Sequence, residues 1–148
     1  MLAAGCGGEH GAGMLRLLVD AGADANTQDE GGSTALMFTA ECGGEHAAGM
    51  MRALVDAGAD ANKQSENGRI AMMMTAARGR EHAAGMVRVL VDAGADANKQ
   101  SKDGWTALIL SAQYGGKHGA GMMRLLIDAG ADANKQSEDG LTLSLIHI

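Results

Sequence analysis

The pattern of hydrophobic and polar residues divides the chain into similar blocks. Each block fits two short helices followed by a polar loop. In one block, residues 70–77 are mostly apolar and contain no helix breaker, which predicts a short first helix. A second apolar stretch, residues 86–93, is followed by Gly94, and glycine is common just after a helix end. Residues 95–104 are then rich in Asp, Asn, Gln and Gly, so they predict a projecting loop or hairpin.

This block recurs with a fixed period. The segment DAGADAN begins at positions that are each 36 residues apart, namely Asp20, Asp56, Asp92 and Asp128. Four columns of glycines share the period: Gly7, Gly43, Gly79 and Gly115; Gly13, Gly49, Gly85 and Gly121; Gly22, Gly58, Gly94 and Gly130; Gly32, Gly68, Gly104 and Gly140. A glycine in the same place of every unit predicts a backbone requirement there. A period of this size is typical of a stacked array, in which each unit is buried against its neighbours.

The period divides the chain into repeats. Residues 1–30 form a partial repeat 1 that starts within its first helix, and residues 31–66, 67–102 and 103–138 form repeats 2, 3 and 4. Residues 139–148 are the truncated start of a fifth repeat or a non-native tail. Neither end has the polar outer face of a capping repeat, so we expect a fragment of a longer array.

Two stretches of repeat 4 carry a family resemblance. Residues 103–115 read DGWTALILSAQYG, and residues 122–132 read MMRLLIDAGAD. They resemble the ankyrin repeat, in which D-x-x-G-x-T-P-L-H-x-A-A-x-x-G-H precedes an apolar second helix that ends L-L-x-x-G-A-D. The resemblance implies an all-α, ankyrin-type helix-turn-helix solenoid with hairpin loops between the repeats. It also implies a non-catalytic protein-protein interaction module.

The repeats depart from the ankyrin pattern in three ways. Alanine replaces the usual proline at the start of the first helix, and methionine or isoleucine replaces the usual histidine that follows. The period is 36 residues, whereas the family's is about 33. The spacing from Gly58 to Ile70 and that from Thr34 to Gly43 agree with the family. The extra residues therefore lie between the two helices, where they lengthen the loop or add a turn to the second helix.

Two apolar columns of the second helix are predicted to form the core. They are Leu18, Leu54, Leu90 and Leu126, and Val19, Val55, Val91 and Ile127. Repeat 3 is predicted to be the least stable, because Ile70 stands where the other repeats have a threonine that starts the first helix. Loss of such a helix-starting hydroxyl typically costs about 1 kcal/mol.

Charge and composition exclude several classes of protein. Twelve basic and eighteen acidic side chains give a net charge of −6, which argues against a nucleic-acid partner. No apolar run approaches the roughly 20 residues of a membrane span, and no signal segment opens the chain. We therefore expect no membrane partner and a cytoplasmic location, with the nucleus as the alternative.

The reactive and metal-binding side chains of the sequence predict no active site, cofactor or metal centre. The histidine column is His10, His46, His82 and His118. Helices pack about 8–10 Å apart, whereas zinc ligands lie about 2 Å from their ion, so adjacent repeats are not expected to share a metal. The same spacing predicts that Cys6 and Cys42 are free thiols. A metal-responsive protein would instead bind stoichiometric zinc through the histidines.

Partner binding is predicted where the repeats differ while their scaffold stays fixed. The most variable columns, at the hairpin tip and the end of the first helix, contain Ser33, Arg69 and Trp105; Glu41 and Gln113; and Cys42, Arg78 and Tyr114. In ankyrin-like proteins these positions face the concave groove, so the resemblance implies that they bind another protein. An alternative is a targeting or regulatory segment of a larger enzyme or signalling protein whose catalytic domain lies outside this chain. A possible end-to-end self-association through uncapped repeat ends is a further prediction.

Overall fold

A computed structural model of the chain describes residues 8–140, which form seven α-helices in that range. Their bounds are Gly8–Asp20 (α1), Ala35–Cys42 (α2), Ala47–Asp56 (α3), Ala71–Arg78 (α4), Ala83–Asp92 (α5), Ala107–Tyr114 (α6) and Gly119–Asp128 (α7), with a short 3-10 helix at Gly116–His118. No strand occurs among the described residues. Each full predicted repeat contains one helix pair. The predicted first helix of repeat 1 and most of residues 139–148 lie outside the described residues.

The helices form two layers. The first helices of the pairs, α2, α4 and α6, pack side by side in one row, and α1, α3, α5 and α7 pack side by side in the other. Within each pair the two helices also contact each other. The expected all-α solenoid of helix pairs is therefore confirmed. A four-residue linker such as 43–46 separates each 8-residue first helix from a 10-residue second helix.

The core between the layers consists of aliphatic side chains and methionine. Met51, Met72, Met73 and Met122 are fully buried, as is Ile70. Methionine fills irregular gaps because its unbranched side chain is flexible. This explains how the chain closes a continuous core with only three aromatic residues.

The first predicted core column is right at three of its four positions, and no residue of the second column is fully buried. Leu54, Leu90 and Leu126 are buried, but Leu18 is 43% exposed. Leu18 lies on α1, which packs against α3 of the second row. In the other column, Ile127 is 49% exposed. Val55 and Val91 are only partly buried, because this column borders the solvent side of the second row.

The first helices begin as their sequences predict. Thr34 and Thr106 cap α2 and α6, and their hydroxyl oxygens accept hydrogen bonds from the backbone N–H of Met37 (3.3 Å) and Ile109 (3.2 Å). Ile70 occupies the same position before α4 and makes no capping hydrogen bond. Its side chain is fully buried, so apolar burial offsets part of the lost cap.

Asparagine side chains of the DAGADAN segments join each repeat to the next. Asn62 Nδ2 donates to the carbonyl of Gly94 at 3.0 Å, and Asn62 Oδ1 accepts from the backbone N–H of Asp96 at 2.6 Å. The amide thus fills a backbone donor and acceptor of the following repeat. Asn26 and Asn98 make the same two bonds to their following repeats. We call this contact the asparagine clamp.

The hairpin loops continue the clamp as a ladder. Lys102 N–H donates to the carbonyl of Asn67 at 2.9 Å, which joins the hairpin before α4 to the hairpin before α6 through their backbones. Gln64 Nε2 donates to the carbonyl of Gly68 at 2.8 Å within its own hairpin. The hairpins therefore stack in the same register as the helices.

Replacing Asn62 with alanine is expected to lower the free energy of unfolding by about 1–3 kcal/mol, because two hydrogen bonds between repeats are lost. Urea denaturation followed by circular dichroism measures the change. Asn134→Ala is the matched control, since the Asn134 side chain makes no clamp to a following repeat within residues 8–140. Equal losses in the two variants would contradict the role of the clamp.

The glycine columns differ in what they require. Gly58 has φ of +94° after α3, and Gly68 has φ of +76° in a hairpin. A Cβ on Gly68 would lie 2.8 Å from the backbone nitrogen of Lys102, so the close approach of two hairpins also requires glycine there. The prediction of a backbone requirement is wrong for Gly49 and Gly121. They lie inside helices without positive φ, and a Cβ on either would meet no atom within 4 Å.

Gly49→Ala is therefore expected to stabilise the protein by about 0.5–1 kcal/mol, because alanine restricts the unfolded chain and favours the helix. Gly68→Ala is expected to destabilise it, through both positive φ and the contact with the next hairpin. Thermal and urea denaturation of the two variants checks the opposite signs. A loss of stability in Gly49→Ala would show that this glycine has a structural role.

Candidate functional site

A groove of about 340 Å³ lies at the ends of the first-row helices and spans three repeats. Its walls are Glu41, Arg69, Met74, Ala77, Arg78, Leu110 and Tyr114. Glu41 comes from the last turn of α2, while Arg78 and Tyr114 end α4 and α6. Arg69 comes from the hairpin before α4. We call this cleft the repeat 3 groove, because repeat 3 supplies most of its lining.

The groove brings together four of the eight residues predicted to bind a partner. These are Glu41, Arg69, Arg78 and Tyr114. They come from three repeats, and only stacking at a common register places them in one cleft. Ser33, Cys42, Trp105 and Gln113 are not part of its lining.

Trp105 lies next to the groove and supports one of its walls. Its ring stacks on the ring of Tyr114, with a centroid separation of 6.1 Å and an interplanar angle of 28°. Trp105 is half-buried and packs against the core, whereas Tyr114 is 55% exposed. Stacked aromatic rings attract each other beyond their buried area. Trp105 therefore holds Tyr114 in place and leaves the Tyr114 ring available at the groove.

The apolar floor of the groove was not among the predicted residues. Met74 and Leu110 line it and share one repeat column. Each lies four residues before a predicted wall residue, Arg78 or Tyr114, and side chains four apart lie on the same face of a helix. Extending the variable columns by one helical turn would have found both residues.

Two arginines of the groove, Arg69 and Arg78, lack a strong ionic partner among the described residues. Arg78 Nη2 lies 3.8 Å from Glu41 Oε1, and both side chains are nearly half exposed. That distance exceeds a hydrogen bond, and an exposed pair of this kind contributes little stability. The guanidinium of Arg69 makes no ion pair or hydrogen bond within the described part of the chain. Both arginines are therefore available to a ligand.

Repeat 3 is the basic segment of an acidic chain. Residues 67–102 hold six Lys and Arg and three Asp and Glu, so their net charge is 6 − 3 = +3. Residues 31–66 hold two basic and five acidic residues, 2 − 5 = −3. Residues 103–138 hold three basic and four acidic residues, 3 − 4 = −1. The groove therefore lies where the sign of the charge is opposite to that of both neighbouring repeats.

The three remaining predicted residues lie elsewhere. Ser33 is half-buried in a hairpin, where its backbone N–H donates to Asp29 Oδ1 at 2.8 Å, and Gln113 is exposed. The expectation of free thiols is wrong for Cys42, which is disulfide-bonded. The spacing of helix axes does not constrain residues at helix ends, so it could not exclude this bond. Cys6 lies outside the described residues.

The histidine column shows no metal centre in the part of the chain that the structure describes. No group of three or more His, Cys, Asp or Glu side chains within it is arranged to hold an ion. His46 Nε2 lies 3.1 Å from Glu45 Oε1, at the start of α3. Among the same residues, no helix combines the length and the apolar character of a membrane span.

Stacked helix pairs, hairpins joined in register and a groove at the helix ends define a repeat-protein solenoid. A family model described as ankyrin repeats, three copies, matches residues 1–84 and residues 46–139. The chain therefore belongs to the ankyrin repeat family. Ankyrin repeats are generally protein-protein interaction modules and are typically non-catalytic. A search of curated proteins finds no match to the chain.

Proposed function

We propose that the chain is a non-catalytic module that binds a partner protein through its concave face, with the repeat 3 groove as the centre of the contact. The observation that carries this proposal is the convergence of Glu41, Arg69, Arg78 and Tyr114 on one cleft. All four belong to columns that vary between repeats. A surface that varies on a constant scaffold is where specificity for a partner is expected.

The chemistry of the groove suits a protein ligand. Tyr114 offers an exposed ring, and tyrosine and arginine are the residue types that dominate binding energy at protein interfaces. Met74 and Leu110 add an apolar floor. A volume of about 340 Å³ accommodates a few side chains of a partner rather than a whole helix.

The groove is also rigidly supported. Clamps from Asn62 and Asn98 join the three repeats that carry its walls, and the Trp105 ring backs Tyr114. A site whose side chains are already ordered loses less conformational entropy when a ligand binds. This favours binding by a preformed surface.

A display library of random peptides, selected on the whole chain, tests this function. Peptides that bind are expected to lose at least about tenfold in affinity for Tyr114→Ala and Arg78→Glu, because truncating an interface hot spot costs more than about 1–2 kcal/mol. Fluorescence anisotropy measures the affinities. Circular dichroism should be nearly unchanged, and the melting temperature should fall only slightly, since Arg78 is exposed and Tyr114 loses only its stacking on Trp105.

Arg52→Ala is the matched control, because Arg52 is exposed on the second-row helix α3. Selected peptides that bind the Tyr114 and Arg78 variants as tightly as the original chain would show that the groove is not the binding site.

The second candidate is a targeting or regulatory segment of a larger enzyme or signalling protein. The match to ankyrin repeats accommodates this role, since a binding module can bring a catalytic domain to its target. The full-length gene distinguishes the two, because a catalytic domain either adjoins these repeats or does not.

A further inference from the structure

We propose that the repeat 3 groove takes an acidic peptide segment, with a carboxylate held by Arg69 and Arg78 and an apolar side chain placed on Met74 and Leu110. This inference rests on the proposed function and specifies the chemistry of the partner. The supporting observation is that two available guanidinium groups and an apolar floor line one groove, in the basic repeat of an acidic chain.

Arg69 is the first anchor. Its backbone is fixed in the hairpin, where its N–H donates to Ser65 Oγ and its carbonyl accepts from Ser65 N–H at 2.9 Å. The side chain is exposed and without an ionic partner among residues 8–140. A guanidinium presents paired N–H donors that match the two oxygens of a carboxylate. A fixed backbone with an unengaged head group is suited to such a ligand.

Arg78 is the second anchor, and Glu41 competes for it. At 3.8 Å the Glu41 carboxylate is too distant for a direct hydrogen bond to Arg78 Nη2. An incoming carboxylate that makes direct, charge-assisted hydrogen bonds would form the stronger contact. Glu41 should then oppose binding, because it places a like charge beside the ligand. The sign of its effect is therefore opposite to that of the arginines.

The surrounding charge favours a short acidic segment over a long polyanion. Repeats 2 and 4 are net negative, and the chain as a whole carries −6. A nucleic acid would extend from the groove over these acidic repeats and be repelled there. A peptide with a local acidic group beside an apolar residue needs only the groove. Repulsion elsewhere on the chain would also restrict acidic partners to this site.

Two labelled synthetic peptides test the proposal by fluorescence anisotropy. One has alternating Glu and Leu at its centre, and the other has Gln in place of every Glu. The acidic peptide should bind more tightly, and added NaCl should weaken its binding. Arg69→Gln and Arg78→Gln should each raise its Kd about tenfold, as expected for losing a hydrogen bond to a charged group.

Two further variants separate the groove from general charge effects. Arg52→Gln removes the same charge from a second-row helix and should leave the Kd unchanged. Glu41→Gln should lower the Kd several-fold, which loss of a merely structural contact would not do.

Several results would overturn the proposal. The first two are equal binding of the two peptides and absence of binding by both. The next two are a loss of affinity in Arg52→Gln as large as that in Arg69→Gln, and weaker binding in Glu41→Gln. The last is displacement of the acidic peptide from the groove by a DNA oligonucleotide. Failure is distinguishable from failure of the proposed function. If library peptides that depend on Tyr114 carry no acidic residues, the groove binds partners and only its acidic preference is wrong.

Discussion

The structure depends on a two-point hydrogen bond between the side chain of one repeat and the backbone of the next. The Asn62 amide fills both the Gly94 carbonyl and the Asp96 N–H, and an amide is the side chain that offers a donor and an acceptor at one end. Aspartate would keep only the acceptor, and alanine neither. Apolar packing alone tolerates sliding between helices, whereas this bond sets one register. That accounts for the asparagine that recurs in every DAGADAN segment.

The groove is a consequence of this register. Glu41, Arg78 and the walls from repeat 4 are far apart in sequence, and none of the repeats could form the cleft alone. Because the clamp and the hairpin ladder hold the scaffold, a substitution at the end of a first helix changes the wall of the groove without disturbing the core. Tyr114 shows the arrangement in detail, since its ring is exposed while Trp105 behind it packs against the core.

The sequence predicted what one repeat determines by itself. The helix pair, the glycine after the second helix and the threonine caps depend on local backbone geometry, and all are present. Features that depend on neighbouring repeats were harder to predict. Averaging over columns made Leu18 a core residue, although its side chain is exposed while Leu54, Leu90 and Leu126 are buried. The asparagine clamp was not predicted, because a single repeat does not contain the backbone groups that Asn62 binds.

The positive charge of the groove comes from variable surface positions, whereas the scaffold positions contribute acidic residues. Beside the clamp, the carboxylate of each segment's second Asp accepts a hydrogen bond from the backbone N–H of the Asn two residues later. The scaffold itself therefore brings acidic groups to each unit, as at Asp60 and Asp96. A repeat becomes basic only by placing Arg or Lys at positions that the scaffold leaves unconstrained. Repeat 3 does so at Arg69 and Arg78, both exposed and both in the cleft. Two such positive charges in one cleft of an acidic stack make it the part of this surface best suited to a negatively charged ligand.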